Sequence, residues 1–268
     1  MVQWLGELSF LPALAYASVL FVPLTLLSLA IGYFHERAAR ADSRVVFELP
    51  LKRGQTRNEV VGNLLWHLMW MPAFALVVSN GVLRFGEGIW LDLATFFLCV
   101  YSFQMFYWLM HRAMHWRPLF FMHKWHHDSL VTTPLTGFSI HPLEGIGWIA
   151  CFVGPAAFVS LFTEVGAWGY LMFVIVGWSG NIVGHANAEF MPSISSTHWG
   201  SRLFGNPVSY HCLHHARFDR HYGFATSWMD AIFRTQWPDW IAVAKRVRGG
   251  APLTKLRERV KTSEAAGA

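Results

Sequence analysis

Five long apolar runs dominate this sequence and limit the folds that it can adopt. They cover about residues 8–34, 60–83, 89–110, 143–163 and 166–187. An α-helix needs ~20 such residues to cross the hydrocarbon core of a bilayer. Charged residues make up only 14% of the chain, against about 25% in soluble proteins. The sequence therefore predicts an all-α integral membrane protein with about five transmembrane helices, in contact with the lipid bilayer.

The first apolar run is expected to remain in the protein as a membrane helix. It is longer than the apolar core of a signal peptide, and no basic residue precedes it. The three cysteines are an odd number and have no CxxC spacing, so we expect no disulfide framework.

The basic residues predict the orientation of the helices. Six of them lie in the linker after the first run, at positions 37, 40, 44, 52, 53 and 57, whereas the next loop contains only Arg84. Because Lys and Arg are enriched in cytoplasmic loops, we expect the N-terminus outside and residues 111–142 and 188–268 together on the cytoplasmic face. Contact with anionic lipid accounts for the net charge of +5, so we expect no nucleic-acid partner.

Six tryptophans fall near the ends of the apolar runs. Trp and Tyr are enriched at membrane–water interfaces, so we predict interfacial positions for all six rather than contacts with a substrate. They are Trp66, Trp90, Trp108, Trp116, Trp148 and Trp168.

The histidines have a spacing that indicates metal binding. Twelve of the 14 lie between residues 111 and 221, where "HRAMH" places two at i,i+4 and both "HKWHH" and "HCLHH" place three at i,i+3,i+4. If these segments are helical, each set shares a helix face and points its imidazoles in one direction. Eight imidazoles exceed the four ligands of one structural zinc ion. The pattern therefore predicts two metal ions in one site, and Fe, Zn, Cu and Ni all suit imidazole ligands.

These motifs resemble those of a known family. "YWLMHRAMH" (107–115), "HKWHHD" (123–128), "HPLE" (141–144), "YHCLHH" (210–215) and "HYGFATSWMDAIFRT" (221–235) are similar to segments of the fatty acid hydroxylase/sterol desaturase superfamily of membrane di-iron oxygenases. The resemblance covers about residues 100–236. It implies a helical membrane domain capped by a cytosolic, histidine-rich di-metal site. It also implies two iron ions, for which zinc can substitute on purification, and O₂ as co-substrate.

The resemblance also implies the residues of the site. The implied metal ligands are His111, His115, His123, His126, His127, His185, His211, His214 and His215. Metal-bound imidazoles usually donate their second N–H to a carboxylate or carbonyl. Candidates for such supporting roles are Asp128, His141, Glu144, Asn181, Glu189, Asp219 and Asp230. The sequence departs from the family at His221, where asparagine is usual, and at Arg234, where glycine is usual. The isolated His35, His67 and His198 are expected to lie outside the metal site.

The chain divides into three predicted segments. Residues 1–58 form an N-terminal transmembrane helix and basic linker, and residues 59–245 form a membrane-embedded, fatty acid hydroxylase-like catalytic domain. Residues 246–268 are expected to be a disordered tail. The C-terminal "EAAGA" has no ER retention signal. This favours a bacterial inner membrane, with the ER membrane expected for a eukaryotic source.

The function implied by the resemblance is O₂-dependent hydroxylation or desaturation of a C–H bond in a membrane lipid. A sterol, fatty acyl, sphingoid or terpenoid chain would suit an apolar helix bundle. Zinc has no redox chemistry and could not oxidise such a bond. The sequence contains no nucleotide-binding GxGxxG and no cluster-forming set of cysteines, so electrons are expected from a separate ferredoxin, cytochrome or reductase.

Two other classes remain as alternatives, a zinc-dependent membrane hydrolase and a membrane metal-binding or metal-transport protein. The hydrolase lacks support because the sequence has no HExxH motif. A transporter would favour histidines and carboxylates in the middle of the spans, whereas these histidines lie at span ends. A pH sensor would not explain two identical HxxHH spacings.

Overall fold

The structure is a computed structural model that describes residues 7–261. Within this range the chain forms ten α-helices: α1 (Phe10–Ala41), α2 (Gln55–Ser79), α3 (Ile89–Met114), α4 (Phe120–His123), α5 (Pro142–Ser160), α6 (Ala167–Gly184), α7 (His198–Leu203), α8 (Val208–Arg217), α9 (Trp228–Ile232) and α10 (Trp240–Arg248). Five of them, α1, α2, α3, α5 and α6, are long and apolar enough to cross a membrane. The predicted all-α membrane fold is confirmed.

The five long helices present apolar side chains on their outer surface as well as between them. Leu26, Leu68 and Phe97 are 63%, 72% and 52% exposed. Helices that are apolar all round are typical of membrane spans, whose outer face is covered by lipid. Inside the bundle, the Phe21 ring of α1 packs 4.7 Å from that of Trp178 on α6 and 5.4 Å from that of Trp70 on α2.

The two ends of the helix bundle carry very different lengths of connecting chain. At one end, two short strands, β1 (Phe85–Gly86) and β2 (Val165–Gly166), pair in parallel and join the α2–α3 loop to the α5–α6 loop. At the other end, residues 42–54, 115–141 and 185–261 form a cap. Both histidine-rich stretches therefore lie at the same end of the bundle.

The cap has its own apolar core, to which the first linker contributes. Val46 and Phe47 pack there with Leu213, Trp240 and Leu253. The Glu48 N–H donates to the Leu253 carbonyl over 2.9 Å, and the Leu253 N–H donates to the Val46 carbonyl over 2.9 Å. The linker and a late segment of the chain are thus held together.

The predicted tail of residues 246–268 differs from the structure over its first part. Leu253 and Val260 are buried, and the Arg246 guanidinium pairs with the Glu258 carboxylate at 2.7 Å. Burial of these side chains stabilises residues 246–261 against the cap. Residues 262–268 of the predicted tail lie outside the described residues.

The six tryptophans near span ends divide into two sets. Trp90, Trp116 and Trp168 are at least half exposed, as expected at an interface, whereas Trp66, Trp108 and Trp148 are buried. The interfacial prediction is therefore wrong for the second set. The indole N–H groups of Trp108 and Trp148 donate to Asp230 and Glu144 over 2.9 and 3.0 Å, and the Trp66 ring stacks 5.3 Å from that of Phe138.

Candidate metal centre

Nine histidines converge where the cap meets the bundle, and they form two clusters. The five-histidine cluster contains His111, His115, His123, His127 and His214. The four-histidine cluster contains His126, His185, His211 and His215. Within each cluster, one ring nitrogen of every residue lies within 4.8 Å of those of all the others. These are the nine residues that the sequence predicts as ligands.

Sequence spacing determines which cluster a histidine joins. Histidines four residues apart share a cluster, as in the pairs 111/115, 123/127 and 211/215. The middle histidine of each HxxHH motif, His126 or His214, belongs to the cluster that does not contain the other two histidines of its motif. In a helix, a residue at i+4 lies about 40° from residue i and one at i+3 lies about 60° away on the opposite side. The expectation that each HxxHH points its imidazoles in one direction is thus wrong, because each motif serves both clusters.

The segments that carry the two HxxHH motifs also differ. His211, His214 and His215 lie on α8. His123 ends the short helix α4, whereas His126 and His127 begin a 3₁₀ turn, His126–Asp128. A continuous helix is therefore not required for the arrangement.

The five-histidine cluster has the nitrogen geometry of a metal site. The Nε2 atoms of His115, His127 and His214 form a triangle with sides of 3.0–3.1 Å. Two nitrogens that bind one ion at ~2.1 Å and at right angles are about 3.0 Å apart. The Nε2 atoms of His111 and His123 are buried and have no hydrogen-bond partner within the described residues. Buried polar atoms seldom lack a partner, so five nitrogens converge as they would around a cation.

The four-histidine cluster repeats this geometry. The Nε2 atom of His211 lies 3.1 Å from that of His185 and 3.2 Å from that of His215. The His126 ring centroid is 4.5 Å from that of His215. The residues of both clusters thus fit one first-row metal ion each, for which neutral imidazole is a suitable ligand.

Hydrogen bonds to the outer nitrogens orient these rings. The Nδ1–H groups of His111, His214, His215 and His185 donate to the backbone carbonyls of Tyr222, Arg220, Ser129 and Asn181, over 2.6–3.0 Å. His123 instead donates to the Glu144 carboxylate over 2.9 Å. Such bonds fix the tautomer and leave the Nε2 lone pair free toward the cluster.

Burial keeps the cluster imidazoles neutral. It lowers the pKa of His126 and His214 to about 3 and that of His185 to about 4, against about 6.5 for an exposed histidine. The cause is loss of hydration of the charged form, to which neighbouring histidines add. A neutral imidazole is the form that binds a metal.

Among the other predicted residues, Glu144 and Asn181 contact cluster histidines. Asn181 does so through its backbone carbonyl, while its side-chain amide donates to the Gly137 carbonyl over 2.5 Å. His141 caps the start of α5, where its Nδ1 accepts from the Leu143 N–H. It contacts no cluster histidine through a hydrogen bond within the described residues.

The remaining carboxylates that were predicted to support the site have other partners. Asp128 pairs with Lys52 at 2.7 Å, and Glu189 accepts from the N–H and hydroxyl of Ser209 over 3.0 and 2.7 Å. Asp219 lines a surface cavity with Arg220. The isolated histidines lie outside both clusters, as expected; His67, for example, bonds to the Thr25 hydroxyl and the Asn63 carbonyl.

Glu59, which the sequence did not predict, and Asp230, a candidate partner for a histidine, organise the loops around the site instead. Glu59 accepts four hydrogen bonds over 2.7–2.8 Å, from Gln55, Ser129, Thr133 and Thr136. Asp230 accepts from Trp108, Tyr210, Tyr222, Gly223 and Thr235. A carboxylate at the start of an apolar span is a signal that could have identified Glu59.

An apolar cavity of about 390 Å³ borders the four-histidine cluster. His126, His185 and His211 line it, together with aromatic residues that include Phe103 and Phe152, whereas no residue of the five-histidine cluster does. Leu203 and Phe204 also line the cavity and are 52% and 61% exposed. The cavity thus leads from the surface beside α7 to one of the two clusters.

A family profile matches the part of the chain that carries this centre. Residues 96–235, which are 140 of the 268, match the family described as fatty acid hydroxylase. This stretch contains all nine cluster histidines. No solved structure gives a significant match.

Curated relatives match about half of the chain at low identity. A Delta(7)-sterol 5(6)-desaturase of Gibberella zeae is 31% identical over 153 residues, which cover 52% of this chain and 36% of the relative. A very-long-chain aldehyde decarbonylase of Oryza sativa subsp. indica is 31% identical over 140 residues, covering 49% of this chain and 21% of the relative. One of Arabidopsis thaliana is 31% identical over 134 residues, with the same coverage. The chain thus spans only about a fifth to a third of the length of these relatives.

Proposed function

Because the chain belongs to the fatty acid hydroxylase/sterol desaturase superfamily, we propose that it is an O₂-dependent oxidoreductase that hydroxylates or desaturates a C–H bond of a membrane lipid. The observation that carries the proposal is the apolar cavity whose wall includes three histidines of the four-histidine cluster. A lipid chain in this cavity would lie directly beside those imidazoles. The proposed catalytic unit is residues 59–245.

We assign the metal sites to the two histidine clusters, with one iron ion in each. When bound there, two iron ions would supply the redox chemistry for activating O₂ and oxidising the C–H bond. Zinc binds such nitrogen ligands more tightly than Fe²⁺ does, so it can replace iron during purification. The buried, neutral imidazoles would provide the ligand nitrogens. The backbone carbonyls that accept from their outer N–H groups keep the rings in this orientation.

The reaction needs two electrons from outside the chain. Hydroxylation converts RH, O₂, two electrons and two protons into ROH and water. Desaturation uses the same electrons and protons and converts a CH₂–CH₂ unit and O₂ into a double bond and two waters. No cluster-forming set of cysteines is present, since Cys99, Cys151 and Cys212 are separate and buried. A separate ferredoxin, cytochrome or reductase is therefore the proposed donor.

The cavity supports a lipid substrate with an apolar body and a single polar group. Its wall is largely aromatic and aliphatic, but Gln104, Asn206 and Thr226 also line it. The Asn206 Oδ1 atom is buried and has no partner within the described residues, so it could accept a hydrogen bond from a lipid hydroxyl. The names of the relatives, which mention a sterol and very-long-chain aldehydes, agree with an apolar substrate class.

The walls of the cavity have a chemical role besides recognition. The rings of Phe103 and Phe152 pack 4.7 Å apart, and that of Tyr107 stacks 4.6 Å from that of Trp148. A lipid enclosed by such rings would exclude water from the oxidised carbon, which prevents side reactions.

For the membrane, we propose the orientation that the basic linker favours, with the N-terminus outside and the metal centre cytoplasmic. The linker belongs to the cap through Val46 and Phe47. The cap and its histidines would therefore be on the side of the membrane where soluble electron donors are found. The proposed location is a bacterial inner membrane, or the ER membrane if the source is eukaryotic.

Metal analysis of the purified protein tests the proposal. Protein from iron-supplemented cells, purified in detergent, should contain two irons per chain. His126→Ala and His214→Ala each alter a different cluster and should each lower the content toward one. His198→Ala is a matched control, because His198 is exposed and outside both clusters.

Product analysis then tests the reaction. The iron-loaded protein, reduced chemically and exposed to ¹⁸O₂ with a lipid extract, should give hydroxylated lipid that carries ¹⁸O, or a lipid with a new double bond. One metal ion or none in a folded protein would overturn the di-metal assignment. Two irons without any oxidised lipid would contradict the proposed activity and would favour metal binding or transport.

A further inference from the structure

The two histidine clusters have different neighbours. The four-histidine cluster borders the apolar cavity, whereas a second cavity of about 360 Å³ lies on the cap surface near the five-histidine cluster. Arg112, Arg220, Tyr222, Arg234 and Trp237 line this second cavity. We refer to it as the arginine pocket.

The arginine pocket carries a net positive charge. Three arginines line it but only one carboxylate, that of Asp219. None of the three guanidinium groups forms an ion pair within residues 7–261. Two of them lie over aromatic rings instead, Arg112 at 5.0 Å from the Trp108 ring centre and Arg220 at 5.2 Å from that of Trp237. Their charge is therefore available to a partner.

The wall of the pocket is held firmly in place. His221 donates through Nδ1 to the Tyr210 carbonyl over 2.9 Å and accepts through Nε2 from the Trp237 N–H over 2.8 Å. Its ring stacks 3.7 Å from that of Tyr210. The Arg220 Nη1 donates to the carbonyls of Arg234 and Gln236, each over 3.1 Å. These contacts fix residues 234–237 as one side of the pocket.

Arg234 occupies an unfavourable backbone conformation at the rim. Its φ is +54°, in the left-handed region that costs free energy for residues with a Cβ atom and suits glycine. Its side chain is exposed, so packing does not explain why an arginine is accepted here. A function for the positive charge at this position would explain it.

A single residue separates the pocket from the five-histidine cluster. The Tyr222 ring lines the pocket, and its centroid is 5.3 Å from that of His115 and 5.8 Å from that of His214. The carbonyls of Tyr222 and Arg220 accept from His111 and His214. Because electron transfer slows steeply with distance, this is a short route from the surface to the centre.

We propose that the arginine pocket docks an acidic one-electron carrier protein, which passes electrons through Tyr222 and its neighbours to the five-histidine cluster, while the lipid is oxidised beside the four-histidine cluster. This inference rests on the proposed function. Each reduced carrier would give up one electron to the iron-loaded centre, so two carriers would be oxidised for each O₂ consumed. Opposite charges steer such partners together and make their association dependent on salt.

The test uses a plant-type [2Fe–2S] ferredoxin as an acidic probe. Its affinity for the iron-loaded protein in detergent is measured at low and high salt. Arg234→Glu should weaken binding at least tenfold at low salt and reduce the salt dependence. Arg234→Gly should weaken it several-fold while suiting the left-handed backbone, so misfolding cannot explain its result. Arg53→Glu is the control, since Arg53 is exposed on the α1–α2 linker, and its affinity should stay within twofold of that of the parent protein.

Reduction by dithionite separates this proposal from the proposed function. The Arg234 variants should keep their iron and give the same product in one turnover after dithionite reduction, but should oxidise reduced ferredoxin more slowly. Unchanged ferredoxin binding in both variants, or no binding by the parent protein, would overturn the docking proposal. Competition by stoichiometric inorganic phosphate would overturn it too, in favour of a small-anion site. If the dithionite-reduced parent gives no product, the proposed function fails, and the binding measurements still decide the docking surface.

Discussion

Glu144 connects the metal centre to the apolar cavity. It accepts from the His123 Nδ1–H over 2.9 Å and from the Trp148 indole N–H over 3.0 Å, and it lines the cavity. Within residues 7–261, no other carboxylate forms a hydrogen bond or ion pair with a cluster histidine. Its position makes it the residue most directly responsible for the orientation of His123.

Glu144→Ala should lower the affinity of the five-histidine cluster for metal by about 10- to 100-fold, the usual effect of losing such a hydrogen-bond partner. Glu144→Gln keeps a carbonyl oxygen that can accept from His123, and should retain most of the affinity. A chelator-competition titration, read by mass spectrometry of bound metal, measures both. Equal affinity in Glu144→Ala and the parent protein would contradict the role that we give to this residue.

His221 and Arg234 show how a departure from a family pattern can have a backbone explanation. Their φ angles are +61° and +54°, where asparagine and glycine are the residues most easily accommodated. The sequence could identify both positions as unusual. It could not show the left-handed backbone conformation, which depends on how the chain folds on either side of α9. The interfacial prediction for Trp108 failed for a related reason, because its partner Asp230 lies 122 residues later.

At the scale of elements, helix α2 holds residues 129–136 in place through hydrogen bonds to Glu59, although the two segments are about 70 residues apart in sequence. Residues 129–136 carry three of the four groups that donate to Glu59 of α2. The Ser129 carbonyl in turn accepts from His215. The start of α2 therefore helps to position His215 of the four-histidine cluster without contacting it.

Glu59→Ala should destabilise the protein by about 3 kcal/mol, because it leaves several buried donors without an acceptor. The metal content of the four-histidine cluster should also fall. Thermal unfolding in detergent measures the first effect, and metal analysis measures the second. Glu48→Ala is a suitable control, since Glu48 is exposed on the linker. An unfolding temperature equal to that of the control would show that Glu59 is dispensable.

The spacing of the histidines predicted more of the site than any other sequence feature. It identified eight of the nine cluster residues, because histidines three and four apart lie close together in a helical turn, whereas the isolated His185 was implied only by the family resemblance. The division of each HxxHH between two clusters could not be predicted, since it depends on where His185 and the other motif lie in space. Glu59 escaped prediction because its partners come from a loop without periodicity.

At the scale of the whole molecule, burial of so many neutral imidazoles makes the fold sensitive to acid. The pKa values of His126, His185 and His214 lie at about 3, 4 and 3 in the folded protein and near 6.5 in an unfolded chain. Between these values the unfolded chain binds more protons than the folded one. Stability is therefore present above about pH 6.5 and is lost as the pH falls toward 4.

The unfolding temperature of the metal-free protein should thus be steady from pH 8 to 7 and fall between pH 6.5 and 5. Each such histidine contributes at most about 1.4 kcal/mol per pH unit to this decline. Scanning calorimetry in one detergent at constant ionic strength measures it. Iron-loaded protein should resist the first part of the decline, because bound metal competes with protons for the same nitrogens. A higher unfolding temperature at pH 5 than at pH 7 would refute this account.

The pairing between the first linker and residue 253 has a consequence for the timing of synthesis. Val46 and Glu48 leave the ribosome more than 200 residues before Leu253, whose backbone groups they bond. All five spans can enter the membrane before Leu253 is available to bond with the linker. The linker can pair with residue 253 only after all five spans, α8 and α10 have been synthesised, so the cap closes after the membrane helices are complete. A ribosome stalled before α10 would therefore leave a chain with all five spans but without the backbone bonds that close the cap.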